Sequence, residues 1–452
     1  MSSYDFDAVI VGGGVSGCMA ALALARFNKS TLVIEKKPCL GGMATAARVH
    51  SMLTFHGKKG HKIIGGIPQL LIDVLKKTGG TPGHIRDTIG VAYSVTPTDP
   101  GLLSLTLMEM MKRFGVNYLL ESSFLTARLE GKRIKQIRGI HPGGYFTASA
   151  PVFIDASGEG ALAHACNEET LQDETAVMPA TLIFEMNNVN LSQVVGYANS
   201  NPENFHHETL FDHLEKSQNP GFSGFFSQWK NAGLEVPRDR LLFYAGVEPG
   251  TVGINSTRII NFDPLSSESI NNAYMEGHKQ VLQIAGFLKK EIPGFENSQL
   301  KSIAPFLGVR EVRRIKGKYV LTGEDLAMGR RFPDEVALGG FPIDIHKAGD
   351  NGLESEEVGE DGFYGIPCGS LVPSVTKNLF ITGKCFSAQF RAHASARVQA
   401  TSMAMGQAVG VAAALAIEKS TEPKNLDIKT LRSRLAGVGQ ILEPDNIEEL
   451  EF

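Results

Sequence analysis

Residues 9–17 read Val-Ile-Val-Gly-Gly-Gly-Val-Ser-Gly, and Gly12, Gly14 and Gly17 carry the spacing G-x-G-x-x-G. In such a turn the first glycine permits a tight bend, the second lets backbone approach a pyrophosphate, and the third allows a helix to lie close on a strand. An apolar run at residues 7–12 precedes the glycines and an alanine-rich stretch up to Arg26 follows them, so the phosphate would meet the positive end of a helix. Glu35 closes the next apolar run, Thr31-Leu-Val-Ile-Glu35, and is suited to hold the ribose hydroxyls of an adenosine. An acid there disfavours a 2′-phosphate, so FAD or NAD fits and NADP does not. A second Gly-rich segment, Asn378-Leu-Phe-Ile-Thr-Gly-Lys384, lies near the other end of the chain. Together the two suggest one dinucleotide site whose halves come from distant parts of the sequence, an arrangement most often met with a flavin.

The elements that must position these residues are legible in the apolar pattern. Residues 7–12 and 31–35 read as parallel strands covered on both faces, and residues 17–26 as the helix between them. Residues 67–77 and 101–114 have helical spacing, with Asp99-Pro100 as cap and first turn of the second. From 116 to 154 short alternating runs are separated by Glu130-Gly-Lys132 and Pro142-Gly-Gly144, the signature of an antiparallel meander. It ends in Val152-Phe-Ile-Asp-Ala-Ser-Gly158, a strand expected in the same sheet as the first. The aromatic-rich middle, with strands at 179–185 and 241–244 and a long helix at 270–289, reads as a second domain that places substrate over the cofactor. Residues 349–361 are acidic and read as a surface loop, after which the chain returns to the first domain near Tyr364. The expected division is therefore 1–170, 171–346 and 347–452.

Of 452 residues, 42% are hydrophobic, enough for a full core, and a net charge of -4 offers no basic field for nucleic acid. Five dispersed cysteines without a C-x-x-C pair argue against a disulfide framework or a zinc site, and no metal is expected. This usage, with no signal peptide ahead of the first strand, points to a reduced, cytoplasmic protein. The apolar run 403–417 reads as a buried helix, too short for a membrane span.

Further motifs carry a family resemblance: Gly41-Gly42-Met-Ala-Thr45 after Glu35, residues 154–160, Gly308-Val-Arg-Glu-Val-Arg-Arg314 with residues 317–322, and residues 378–410. With the first glycine turn, they make the chain similar to flavoproteins that have a glutathione-reductase-type FAD domain. Specifically, it resembles the FAD-dependent oxidoreductase group related to fumarate reductases and to FAD-binding tRNA-modifying enzymes. The resemblance implies an α/β fold: a Rossmann FAD domain of parallel sheet and antiparallel meander, with an inserted α+β substrate domain. It also implies that Gly12, Gly14, Val15, Ser16 and Gly17 serve the pyrophosphate, and Glu35 and Lys36 the adenosine ribose. Gly42, Met43 and Ala44 would face the ribityl and flavin side, and Phe124, Ala156 and Gly158 the adenine end. Gly383 and Lys384 would approach the ribityl chain, and a helix beginning near Thr401 would aim its N-terminus at the flavin.

The chain departs from its relatives in three ways. Gly383-Lys384-Cys385 has no acid for a ribityl hydroxyl, Cys39 has no partner for dithiol chemistry, and a second G-x-G-x-x-G for NAD(P)H is missing.

Gln389, Arg391, His393 and Arg397 fall where related folds place the flavin face, with His393 and Arg397 the catalytic candidates for proton and charge handling. His56, with His61, is the candidate on the substrate side. Arg310, Arg313 and Arg314 suit either an anionic substrate or an ion-pair network with Glu311. Cys385 reads as a covalent flavin attachment point or as a buried small residue. The expected activity is hydride transfer between a small organic substrate and flavin N5, coupled to an electron donor or acceptor of unknown identity. A flavin monooxygenase and a non-catalytic, redox-sensing FAD protein are the alternatives.

Overall fold

A computed structural model of the chain describes residues 2–171, 177–346, 353–444 and 446–452. The first two apolar runs form the strands Ala8–Val11 and Thr31–Ile34, in which every side chain is buried. Strands without a polar face must be covered on both sides, which a parallel sheet flanked by helices achieves. The sheet runs Leu379–Ile381, Val152–Asp155, Ala8–Val11, Thr31–Ile34, Asn117–Leu119 in space, all parallel. The strand from the second Gly-rich segment therefore lies one place removed from the strand of the first.

The meander forms as Ser123–Glu130, Arg133–His141 and Gly144–Ser149. Residues Ser2–Asp5, which carry no strand pattern, extend it by pairing in parallel with Gly144–Ser149. Asn378 ties the meander to the main sheet: its side chain accepts from the Ile134 amide and donates to the carbonyls of Ile134 and Pro151, at 2.9, 2.9 and 3.1 Å.

Helix Val15–Arg26 packs along Gln399–Glu418, which is buried on nearly all sides. By length and apolarity alone Gln399–Glu418 could cross a membrane, but 94% of its most apolar window lies inside the fold. The two axes approach closely because glycines face the contact: a Cβ at Gly406 would sit 2.1 Å from the Ser16 carbonyl oxygen, and one at Gly410 2.3 Å from that of Ala20. Interhelical distance follows the side chains at the contact, so even one methyl must push the helices apart. Gly410→Ala is expected to destabilise the protein by about 1–3 kcal/mol, the usual cost of overpacking, read as a lowered thermal midpoint.

The cap is a five-stranded antiparallel sheet in the order Gly221–Gly224, Leu241–Ala245, Val252–Ile254, Phe184–Asn187, Gln299–Ile303, covered by helix Ser267–Glu291. Side chains alternate along these strands. Leu241, Phe243, Phe222, Val252 and Ile254 enter a core shared with Val281, Ile284 and Leu288 of the helix. Their neighbours Leu242, Tyr244, Ser223 and Gly253 face the other way, into a cavity.

Packing corrects several expectations. The strand expected at 179–185 is Phe184–Asn187, preceded by single bridges at Ala180 and Thr181. The cap core ends at Leu307, whereas Leu321, Leu326, Val336 and Leu338 join the core beneath Gln399–Glu418. The chain thus leaves the cap before residue 321 rather than after 346, because Glu335–Gly339, wholly buried, pairs with Tyr364–Pro367. Within the acidic stretch read as a loop, Leu353–Glu356 is a strand paired with Ile343–His346, while 347–352 fall outside the described residues.

Candidate cofactor and substrate site

A cavity of about 330 Å³ opens at the carboxyl ends of the parallel strands, where ligands bind in open α/β sheets. Each strand delivers its next residues to the wall: Gly12 after Val11, Glu35 after Ile34, Ala156 after Asp155, Gly383 soon after Ile381. Gly12 has φ +108°, and a Cβ there would lie 2.3 Å from the Ala156 carbonyl oxygen, so the turn and the neighbouring strand end meet at a distance only glycine allows. Gly14 is different. It is the N-cap of Val15–Arg26 with φ -67°, and a Cβ would have one neighbour, Gly42 Cα at 3.9 Å. The space beside it is open, and the first-turn amides of the helix lack helical acceptors.

Glu35 is buried at this wall, its Oε2 accepting from the Gly13 amide at 2.7 Å and its Oε1 from the Lys37 amide at 2.9 Å. Lys36 reaches across to Glu159 at 2.8 Å. Val15, Ser16, Met43, Ala44, Phe124 and Gly158 also line the cavity, as the resemblance implies. Gly17 does not. A Cβ there would sit 2.0 Å from the Gly12 carbonyl oxygen, so only glycine lets the helix lie this close on the turn. Thr401 is also absent from the wall, being fully buried, and its helix contributes Gln399 and Ser402 instead. The two Gly-rich segments meet where the Ser16 and Thr382 hydroxyls share a 2.8 Å hydrogen bond. The glycines leave room where a pyrophosphate would lie and Glu35 is fixed beside it, so these residues fit a dinucleotide without its being forced.

A second cavity of about 280 Å³ lies between the cap sheet and the first cavity. Met43, Lys384, Arg397 and Gln399 belong to the walls of both. Its charged lining is mostly cationic, with Arg238, Arg240, Arg258, Arg310, Lys384 and Arg397 beside Asp239 and Asp344. Arg240 is taken up by a bidentate pair with Asp239, both contacts 2.8 Å. Arg310 donates to the Pro179 carbonyl at 2.6 Å and to Thr181 Oγ1 at 2.9 Å. Burial and the neighbouring guanidiniums push Arg310 down to about 9 and Arg238 down to about 10. Burial, with Lys37 and Arg397 nearby, brings Lys384 down to about 7, and its Nζ donates to the Val309 carbonyl at 2.6 Å.

One ordered relay crosses this wall. His346 Nδ1 accepts from Arg258 at 3.3 Å, and its Nε2–H donates to Asp344 at 3.1 Å. Burial, then Arg310 and Arg397, outweigh the Asp344 carboxylate and bring His346 down to about 4, so it is neutral at physiological pH. Burial works to raise Asp344, but His346, Arg397 and Arg310 hold its carboxyl below the ordinary range.

Of the catalytic candidates, Arg397 lines both of these cavities, and His393 and His56 line neither. His393 faces neither: its Nε2–H is spent on the Lys384 carbonyl at 2.9 Å, and burial followed by Arg397 and Arg314 keeps it far below the imidazole range. His56 is also internal, bonded to Ser94 at 3.1 Å and to Glu448 at 3.0 Å, and His61 packs near Phe363. Gln389 caps Phe390–Ala396, and Arg391 points outward to Glu324 and Glu356. Arg314 pairs with Glu311 at 2.8 Å and Arg313 bonds the Glu159 carbonyl, so of the three arginines only Arg310 lines a cavity. Cys385 is buried, its thiol directed at the carbonyls of Asp155 and Thr382, and it lines neither cavity. Residues 238, 258, 344 and 346 were absent from the sequence candidates.

A glycine turn at the mouth of a parallel sheet, an acid after the second strand and a capped neighbouring cavity define a dinucleotide-binding α/β protein of Rossmann type. The chain belongs to the FAD dependent oxidoreductase family, which it matches over residues 7–435. It is a flavin enzyme, with FAD as its cofactor.

Over 86 residues it is 35% identical to the tRNA uridine 5-carboxymethylaminomethyl modification enzyme MnmG of Borreliella burgdorferi (strain ZS7), covering 17% of this chain and 14% of that one. Over 93 residues it is 31% identical to the pyridine nucleotide-disulfide oxidoreductase domain-containing protein 2 of Mus musculus, covering 21% and 15%. The chain thus spans about a seventh of the length of these relatives. Its fold resembles that of p-nitrophenol 4-monooxygenase PnpA from Pseudomonas putida DLL-E4, with TM-score 0.50, 10% identity, and coverage of 97% of this chain and 87% of that one.

Proposed function

We propose that the protein is a dehydrogenase or reductase of a small organic molecule, with a glutathione-reductase-type FAD domain in the sheet and meander and substrate held under the cap. The observation that carries this reading is the shared wall of Met43, Lys384, Arg397 and Gln399, which brings the first cavity and a second one beneath the cap sheet to one boundary. Bound FAD would supply hydride acceptance or donation at N5. The chain would hold the pyrophosphate at Gly12, Gly14 and Ser16, the ribose at Glu35 and the adenine end near Phe124. Met43, Ala44, Gly383 and Lys384 would border the ribityl side. Arg397 would offset negative charge at the boundary, and the cap would keep water from the reacting groups.

Anaerobic mixing of the yellow holoprotein with a metabolite panel tests the reading, with NADH, fumarate-like acids and quinones as separate arms. Rapid bleaching by an organic substrate and recolouring by an acceptor are expected. A colourless protein that binds NAD overturns the reading, and oxygen consumption with a hydroxylated product in a parallel aerobic run replaces it with a monooxygenase.

A further inference from the structure

Helix Ser267–Glu291 turns one side into the cap core through Val281, Ile284 and Leu288. Its opposite side carries a second pattern. Glu268, Met275, Leu282 and Lys289 recur every seven residues, the spacing that keeps positions on one stripe when two helices run side by side. All four are exposed, Met275 at 75% and Leu282 at 66%. A lone exposed apolar side chain needs no explanation, but these two stand in an ordered series of acid, apolar, apolar, base. Glu268 and Lys289 have no ion-pair or hydrogen-bond partner for their side chains among the described residues. They lie 21 residues apart, about 31 Å along the axis, so they cannot meet within one chain. Gly286, one turn beyond Leu282, is exposed on the same stripe, and a Cβ there would meet nothing within 4 Å. Glycine is less stable than alanine inside a helix, and nothing within the chain asks for it at this position. Gly277 is different, since a Cβ there would lie 3.1 Å from Leu182 on the inner side.

We propose that this stripe is an interface between two copies of the chain, their Ser267–Glu291 helices packed antiparallel about a two-fold axis near His278 and Lys279. The series reads the same when one helix is reversed and its charges are complemented. Met275 then meets Leu282 of the second copy, Leu282 meets its Met275, and at each end Glu268 stands beside Lys289. Asn271 falls opposite Gly286, whose missing side chain leaves room for it. Lys279, near the axis, is already paired with Glu235 at 2.6 Å. A surface complementary to itself is what an isologous two-fold contact requires. Parallel packing would set Glu268 against Glu268 and Lys289 against Lys289, so charge selects the antiparallel arrangement. A different partner would need base, apolar, apolar and acid at the same spacing, which this helix supplies in reverse. Two caps are thereby joined back to back, each helix keeping its inner side in its own cap core.

Sedimentation velocity of the purified holoprotein over a dilution series tests the pairing. A reversible dimer is expected, with a mass twice that of one chain at the upper end of the series. Met275→Glu, which the two-fold axis introduces twice, should leave a monomer throughout. Because Met275 is an exposed side chain, flavin content and thermal midpoint at high dilution should stay unchanged in that variant. Lys289→Glu should weaken the dimer about tenfold, two exposed ion pairs becoming two repulsions. Combining it with Glu268→Lys should restore the wild-type affinity, because the exchanged charges again face each other. A monomer at every concentration overturns the proposal. So does a dimer that Met275→Glu and Lys289→Glu leave intact, or a charge exchange that fails to restore association.

Discussion

Gly14→Val should yield a folded protein that has lost its FAD. The backbone at Gly14 is extended, with φ -67° and ψ 174°, which valine adopts without strain, and a Cβ there has a single neighbour at 3.9 Å. Folding is therefore spared, while the isopropyl group occupies the opening through which a pyrophosphate reaches the first turn of Val15–Arg26. A loss of affinity of at least about 100-fold, roughly 2.8 kcal/mol, would leave the purified variant colourless at ordinary concentrations. The flavin-to-protein ratio after purification, with the thermal midpoint of the apoprotein as control for folding, measures this. Full flavin content in Gly14→Val would show that the pyrophosphate lies elsewhere. Gly17→Ala is the contrasting case: its methyl would meet the Gly12 carbonyl at 2.0 Å, so it should lower the melting temperature of the apoprotein itself.

Arg397→Gln should keep its flavin and lose its chemistry. The guanidinium stands on the wall of both cavities. A cation placed where charge changes during reaction contributes more there than anywhere else in the fold. Anaerobic reduction by the substrate should slow by about 10² to 10³-fold, the usual effect of removing one such group, with the oxidised flavin spectrum little changed. A wild-type reduction rate in this variant would take Arg397 out of the reaction.

The cofactor half of the site was legible because its chemistry is local. A glycine that must turn, a glycine that must leave room and an acid that ends a strand are set by short-range backbone geometry, so spacing alone locates them. The second cavity was not, because its arginines come from 238, 258, 310 and 397 and are brought together only by the packing of the cap on the rest of the chain. Proximity in sequence misled at His393: six residues before it, Ser387 is still loop, and the Phe390–Ala396 helix then sends Arg391 to solvent, His393 into the interior and Arg397 to the cavity. His56 lies inside the fold for a related reason, since its partner Glu448 comes from the opposite end of the chain. One missed pair did leave a trace. Asp344 and His346 alternate with Ile343 and Ile345, and residues two apart on a strand share a face. The acidic stretch that follows was taken as a loop, which hid the strand that pairs with it.

The hydrogen bond between Ser16 and Thr382 closes a loop of 366 residues. Ordering in time follows from it. The glycine turn at residues 12–17 leaves the ribosome first, yet the opposite wall of the cofactor cavity, at Gly383 and Lys384, exists only after most of the chain has been made. The strand Leu379–Ile381 must then insert beside Val152–Asp155, and contacts of such separation form late and slowly. The cofactor cavity is thus completed only at the end of biogenesis, and until its own far end returns the nascent chain carries one wall of a nucleotide site without the other.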